Sequence, residues 1–471
     1  MKTGAPLILL MTAVGFGLET QSDRSGVATV KANIPYADAQ PILRDLREDL
    51  LPAELRAKTP AERESAWPAW VSRRDSEIRA RLARGDEDSI LNFLLLGTTF
   101  TKRPRLLNLA SLRSPGDELA TLNGRLDDFI AAISSANVNE RLGFVREVIK
   151  GRGIDPQASE GTREIRAYLL EILARVIKET ESRAGTVESI GLVDDPMAKL
   201  AYASTLFQDR GLSSDTSIIP SLGIDQALED IEAEGRFRDN RVRRVAIVGP
   251  GLDFVDGREG SDVYPVQTIQ PFAVIDSLVR LGLADLDNLQ VTTLDISSRV
   301  NGHLMAARER AAAGGDYVVH LPRNETESGP WSEDLVKYWQ RFGETIGTEA
   351  RIAAASSNGD GIRVRAVRIR PAVVMSIVPQ DLNIVLQRLE PIADDERFDL
   401  IIATNILVYY DIFEQSLAVA NVAKMLRHGG LLLSNNIITE LPTTHLHLVG
   451  YSDVVYIPSA VGDRILAYEL P

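Results

Sequence analysis

Cysteine is absent from the 471 residues, and histidine is scarce, with five in the whole chain. The first absence excludes disulfides, thiolate nucleophiles and cysteine-based zinc or iron–sulfur sites, and it leaves the compartment open. A basic excess is also missing. The net charge of −14 argues against a duplex-binding face, which needs clustered lysine and arginine, although a local basic patch stays possible. Beyond the first residues no apolar run is long enough to cross a bilayer as a helix. In bulk the chain is ordinary globular protein, 44% hydrophobic and 25% charged, with room for two to four domains and large cores.

The first residues differ from the rest. Lys2 precedes an uncharged, mostly apolar run over residues 5–18, and residues 19–26 are polar. This is the outline of a secretory leader, too short to span a bilayer comfortably and without a small-x-small cleavage site after Gly15-Phe16-Gly17. Residues 1–28 are expected to be a signal-like or disordered leader, with a buried apolar segment as the alternative. A functional leader implies a periplasmic or secreted protein.

Residues 29–235 read as a mostly α-helical domain of unknown role. Ile165, Tyr168, Leu169, Ile172, Leu173, Val176 and Ile177 recur at spacings of three and four, the mark of one apolar helix face. A charged helix over residues 72–84 carries Ile78 and Leu82. Gly85-Asp86-Glu87-Asp88 is expected to interrupt it before the apolar run 90–96. Breakers at 151–153 and 211–220 separate further helices, and Trp67 and Trp70 are expected in a core or a domain contact. From residue 236 to 471 short apolar runs alternate with amphipathic helices, which is the pattern of a parallel α/β sheet. Strands are expected at 244–248, 290–294, 373–378, 400–403 and 431–434. A closing antiparallel hairpin, 454–457 with 464–468, turns at Gly462-Asp463. Residues 316–370 form an insertion with a helix near 331–342 and a hairpin around 362–369.

One stretch carries more information than any other. Phe398-Asp399-Leu400-Ile401-Ile402-Ala403-Thr404 is an apolar strand opened by an acid, and Asn405-Ile406-Leu407-Val408-Tyr409-Tyr410-Asp411 is a polar, then aromatic-acidic corner. A helical segment leads on to Leu426-Arg427-His428-Gly429-Gly430 and the apolar Leu431-Leu432-Leu433-Ser434. In this order the elements resemble the fourth and fifth strands of class I S-adenosylmethionine-dependent methyltransferases. The corner from Asn405 to Asp411 looks most like the chemotaxis-receptor (protein-glutamate) methyltransferases. The resemblance covers roughly half the chain. It implies an α/β fold with a seven-stranded Rossmann-like sheet behind the helical N-terminal domain, S-adenosyl-L-methionine as cofactor, and methyl transfer to a protein carboxylate or small-molecule acceptor. The helical region carries no motif of the chemotaxis enzymes, so receptor-glutamate specificity is not carried over. The alternative is a binding or scaffold protein of the same fold that has lost catalysis.

Ligands of open α/β sheets bind beyond the carboxyl ends of the strands, and each candidate falls there. Gly249-Pro250-Gly251 follows the first strand, where glycine lets backbone approach a ligand; the resemblance assigns this turn to the methionine end of the cofactor. Phe254 stands where a third glycine would complete G-x-G-x-x-G. Asp295 lies at more than twice the roughly 20-residue spacing of the dinucleotide fingerprint, so NAD is disfavoured. Asp295 ends the second strand and is expected to accept hydrogen bonds from a ribose diol, a helix N-cap being the alternative. By the same resemblance Asp381 meets the adenine amino group and Leu382 packs on the ring. Asn405, donor and acceptor at once, suits the amino-acid end of the cofactor or the substrate, and Tyr409 and Tyr410 wall the substrate pocket or simply fill core. No catalytic residue is identifiable, because methyl transfer asks mainly for alignment and exclusion of water. A hydroxyl or amine acceptor would use a base, for which Asp411, His303 and His320 are candidates. His445 and His447, spaced for one strand face, read as a solvated edge before a metal site. Arg363, Arg365, Arg368 and Arg370 read as a solvent-facing hairpin before a basic docking strip.

Overall fold

A computed structural model describes residues 30–107, 116–136, 139–191, 204, 206–208, 210–237, 241–255, 262–324, 330–352, 362–458 and 461–471. The expected leader, residues 1–28, lies outside them. The centre of the molecule is a seven-stranded sheet. In chain order its strands are β2 (Arg244–Val248), β3 (Gln290–Asp295), β7 (Ile377–Asp381), β9 (Phe398–Ala403), β10 (Leu426–Ser434), β11 (His447–Ile457) and β12 (Val461–Leu470). Across the sheet they stand β11-β12-β10-β9-β2-β3-β7. Five are parallel, β12 runs antiparallel to β10, and β11 runs antiparallel to β12. The chain builds outward from β2 to β7, then returns to the other side of β2 at β9. The strand order therefore reverses between β2 and β9, where open sheets hold their ligands.

These strands read as unbroken apolar runs because both faces are covered. Val245, Ile247, Leu400, Ile402, Leu431 and Leu433 enter one core, and Ala246, Val248, Ile401, Ala403 and Leu432 the opposite one. Over the first face lie α7 (Ser221–Ala233), α8 (Gln270–Arg280) and α9 (Ser298–Ala312). Over the second lie α1 (Tyr36–Asp45), the first half of α3 (Pro60–Leu96) and α12 (Ile412–Met425). Trp67 and Trp70 stack at 4.9 Å, Trp70 meets Phe413 edge-on, and the Trp67 indole donates to the Ile34 carbonyl.

The helical N-terminal half is not set apart at residue 235. Helices α1, α7 and half of α3 are layers of the α/β body. A separate helical core joins the second half of α3 to α4 (Asp117–Ser134), α5 (Glu140–Gly151) and α6 (Gly161–Gly191). Phe254 and Val255 from the sheet half enter that core, and Phe254 meets Phe93 and Phe144 edge-on. The residue that spoils the glycine pattern is thus the plug that fastens the helical core to the sheet.

Helix α3 also runs straight through Gly85-Asp86-Glu87-Asp88, where an interruption was expected. Tertiary contacts overrule local propensity there. Glu87 pairs with Arg152 and accepts from Tyr168, and Asp88 pairs with Arg175 at 2.7 Å. At Gly85 a Cβ would overlap the Leu212 carbonyl.

The insertion holds β4 (Tyr317–Asn324), β5 (Gly347–Glu349) and β6 (Ile362–Ile369) in a separate sheet of order β4-β6-β5. Residues 362–369 are one central strand rather than a hairpin. Its arginines do not form a strip: Arg365 lies over Trp339 at 5.3 Å and Arg368 pairs with Asp316 at 3.0 Å. Pro371–Met375 is a short helix, so the third strand of the main sheet begins at Ile377.

Candidate functional site

A cavity of about 610 Å³ opens at the carboxyl edge of β2, β3 and β9, at the reversal of strand order. Its size is that of small-molecule sites. The turn after β2 forms the floor. Gly249 and Gly251 both take positive φ, +64° and +67°, which glycine alone adopts without strain. A Cβ on Gly249 would overlap Ile406, and one on Gly251 would come within 2.7 Å of the Ser214 carbonyl. Both glycines line the cavity.

Asp295 ends β3 and is 8% exposed, with Oδ1 accepting from the Ser297 amide at 2.7 Å. Ser297, not Asp295, caps α9: its hydroxyl accepts from Val300. Burial pushes the Asp295 carboxyl up to about 7, against the downward pull of that amide and of Arg299. Leu382, next to the carboxyl end of β7, lies in the wall with Asn383 and Ile384. Asp381 departs from expectation. Its carboxylate, 53% exposed, pairs with Arg79 at 2.8 Å and Lys31 at 3.5 Å outside the cavity lining. Asp381 is in register beside Asp295, and the cations arriving from β1 (Val30–Asn33) and α3 hold it away.

Asn405, at φ +60°, takes the turn after β9. Its amide N–H donates to Asn435 Oδ1 at 2.8 Å, and its own Oδ1 accepts from Asn435 Nδ2 at 2.6 Å. Asn435 Nδ2 also reaches Asp463 Oδ2 at 3.3 Å, which joins the ends of β9, β10 and β12. Tyr409 and Tyr410 both line the cavity, and burial raises both phenols.

The roof comes from residues 213–217, which in sequence read only as a helix breaker. Ser213, Ser214, Asp215, Thr216 and Ser217 all face the cavity. Leu252 donates to the Ser214 carbonyl at 2.7 Å and Thr216 to the Leu252 carbonyl at 2.8 Å, clipping the segment to the glycine turn. Arg81 on α3 donates to the carbonyls of Phe207, Arg210 and Tyr409, at 2.9, 3.1 and 3.0 Å. It straps the roof to the tyrosine corner. A polar run between breakers is a weak signal in sequence, since most such runs are solvated loops.

The proposed bases lie elsewhere. Asp411 is the N-cap of α12, in a capping box with Glu414, and burial and then Glu414 raise its carboxyl. His303, lowered to about 4 by burial, bonds the Tyr317 hydroxyl at 2.9 Å, and His320 stacks on Tyr264. None of the three lines the cavity. His445 precedes β11 at φ +54°, so the two histidines do not share a strand face. Among the described residues no cluster of acids and histidines is grouped to hold a metal ion.

No family model and no curated protein matches the chain. Among solved structures it is similar to the N-methyltransferase NodS of Bradyrhizobium japonicum WM9, at 13% identity over 52% of this chain and 96% of that one, TM-score 0.26. It is also similar to the magnesium protoporphyrin IX methyltransferase of Synechocystis PCC 6803, whose structure has S-adenosylmethionine bound, at 10% identity over 54% and 81% of the chains, TM-score 0.25. The glycopeptide N-methyltransferase MtfA matches at 12% identity over 52% and 94%, TM-score 0.25.

Proposed function

We propose that the chain is an S-adenosylmethionine-dependent methyltransferase. The observation that carries this reading is the position of the cavity, beneath the polar roof and at the reversal of a parallel sheet closed by an antiparallel β12. The residues present fit the cofactor's parts. The two positive-φ glycines admit its amino-acid end, Asp295 accepts from the ribose diol, and Leu382 with Ile384 packs on the base. When bound, the cofactor supplies a methyl group already activated on a sulfonium. The chain's own work is then to align the acceptor and keep water out. Ile406, Tyr409 and Tyr410 serve the second task, and the Arg81 strap holds the roof over both ligands.

No observation favours the inactive-scaffold alternative. The reading carries a cytoplasmic location, where the cofactor is made, and N-terminal sequencing of the mature protein tests it against export. Among the described residues no helix is long and apolar enough to cross a membrane. Titration calorimetry of the full chain with S-adenosylmethionine and S-adenosylhomocysteine tests the function. Both are expected to bind, and Asp295→Ala is expected to weaken S-adenosylhomocysteine by about tenfold or more, the loss of hydrogen bonds to a charged group. Absence of binding by either compound would sink the reading.

A further inference from the structure

The charged side chains lining the cavity, among the described residues, are Asp215, Asp295 and Asp463, and no lysine, arginine or histidine joins them. The three come from separate segments: the roof, the end of β3, and the start of β12. Arg299, outside the lining, draws the Asp215 and Asp295 carboxyls down but is shared with Asp86, and the other neighbouring cations are engaged elsewhere. Arg299 pairs with Asp86 at 3.2 Å, Arg464 with Asp453 at 2.6 Å, and Arg79 with Asp75 and Asp381. Asp215 accepts from the Ser89 hydroxyl at 2.8 Å through Oδ1, while its buried Oδ2 has no hydrogen-bond partner. The Asp463 carboxylate accepts from the Arg464 amide at 2.9 Å and from the Asn435 side chain at 3.3 Å. Burial raises all three carboxyls above their ordinary range, outweighing the pull of Arg299 on Asp215 and Asp295, and no cation among the described residues acts on Asp463.

Carboxylates drawn partly out of water and incompletely paired are costly, and such surplus negative charge is kept where a ligand supplies the cation. S-adenosylmethionine brings one net positive charge, which leaves a surplus. We propose that the methyl acceptor is an amine, received as its ammonium between Asp215 and Asp463, and that carboxylate and phosphate acceptors are excluded. The Asn405–Asn435 pair orients Asp463 at that end. A carboxylate facing the ammonium is also placed to accept the proton that the nitrogen must lose before its lone pair is free. The word acceptor rests on the methyltransferase reading, whereas the charge preference of the cavity does not.

Two probes of matched shape and opposite charge, phenethylamine and 3-phenylpropionate, test this on the full chain by saturation-transfer NMR, with and without S-adenosylhomocysteine. The ammonium is expected to bind about fivefold tighter or better. The preference is expected to vanish in Asp215→Asn/Asp463→Asn and to persist in Asp394→Asn, an acid whose side chain is 99% exposed, which controls for the overall negative charge. Should the double variant fail to fold, Asp463→Asn alone carries the comparison. Equal or tighter binding of 3-phenylpropionate, binding of neither probe, or a preference that survives the cavity substitutions overturns the inference. If S-adenosylhomocysteine fails to bind while the ammonium preference holds, the methyltransferase reading falls and the charge inference stands. The reverse pattern overturns the charge inference alone.

Discussion

At the scale of one residue, Asp295 sets stability against function. Its folded pKa, about 7, lies above the value near 4 of an unfolded chain, so the folded state holds the proton more tightly. By linkage this group's contribution to stability falls as pH rises from about 4 to about 7. Asp295→Asn is therefore expected to unfold at a higher urea concentration than wild type at pH 8, with the gap closing toward pH 4. Under the proposed function cofactor binding runs the other way, because a ribose diol would donate best to the ionised carboxylate. Wild-type affinity for S-adenosylhomocysteine is expected to rise about tenfold from pH 6 to pH 8, following the ionised fraction, and to stay flat in Asp295→Asn. Calorimetry across that range checks it. The sequence placed this carboxylate at a strand end, but its titration depends on burial among residues far away in the chain.

At the scale of an element, α3 ties the roof of the cavity to the sheet. Arg81→Met keeps most of the volume but leaves the Phe207, Arg210 and Tyr409 carbonyls without their donor. The expected cost is about 2–4 kcal/mol in urea unfolding, with weaker S-adenosylhomocysteine binding. Arg73→Met, which breaks an exposed pair with Glu54, is expected to change neither. Gly85→Ala reverses the usual sign. Alanine stabilises an ordinary helix by about 1 kcal/mol relative to glycine, yet here the added Cβ meets the Leu212 carbonyl, so a lower urea midpoint is expected. The helical pattern on either side of Gly85 was legible in the sequence. The continuity through it was not, because the acids that look like a breaker are neutralised by Arg152 and Arg175 from other elements.

At the scale of the whole molecule, three cores interlock. The sheet takes α7 over one face and α1, Trp67, Trp70 and Ile78 over the other, and lends Phe254 to the helical core. Residues 236–471 expressed alone would expose the parts of both sheet faces that α7, α1 and α3 cover. They are expected to show no cooperative urea transition and to bind a hydrophobic dye, whereas residues 30–471 unfold cooperatively. A cooperative transition in the shorter fragment would show that the helices are ornaments on an independent domain.

The sequence by itself determined most strands of the main sheet, their order along the chain and the antiparallel close, and misplaced only the third, which starts at Ile377. It also placed the glycine turn, Asp295, Leu382, Asn405 and the two tyrosines at strand ends. Those features are local: apolar runs of strand length, glycine where φ is positive, polar residues where strands stop. The tertiary structure alone decided which of them meet. It brought the 213–217 segment over the turn, gave Asp381 to Arg79 and Lys31, took Asp411 for a helix cap, and gathered Asp215, Asp295 and Asp463 in a cavity lining that holds no basic residue among the described residues. Each outcome turns on partners distant in sequence, and charge compensation between distant residues leaves no periodic trace in the chain that carries it.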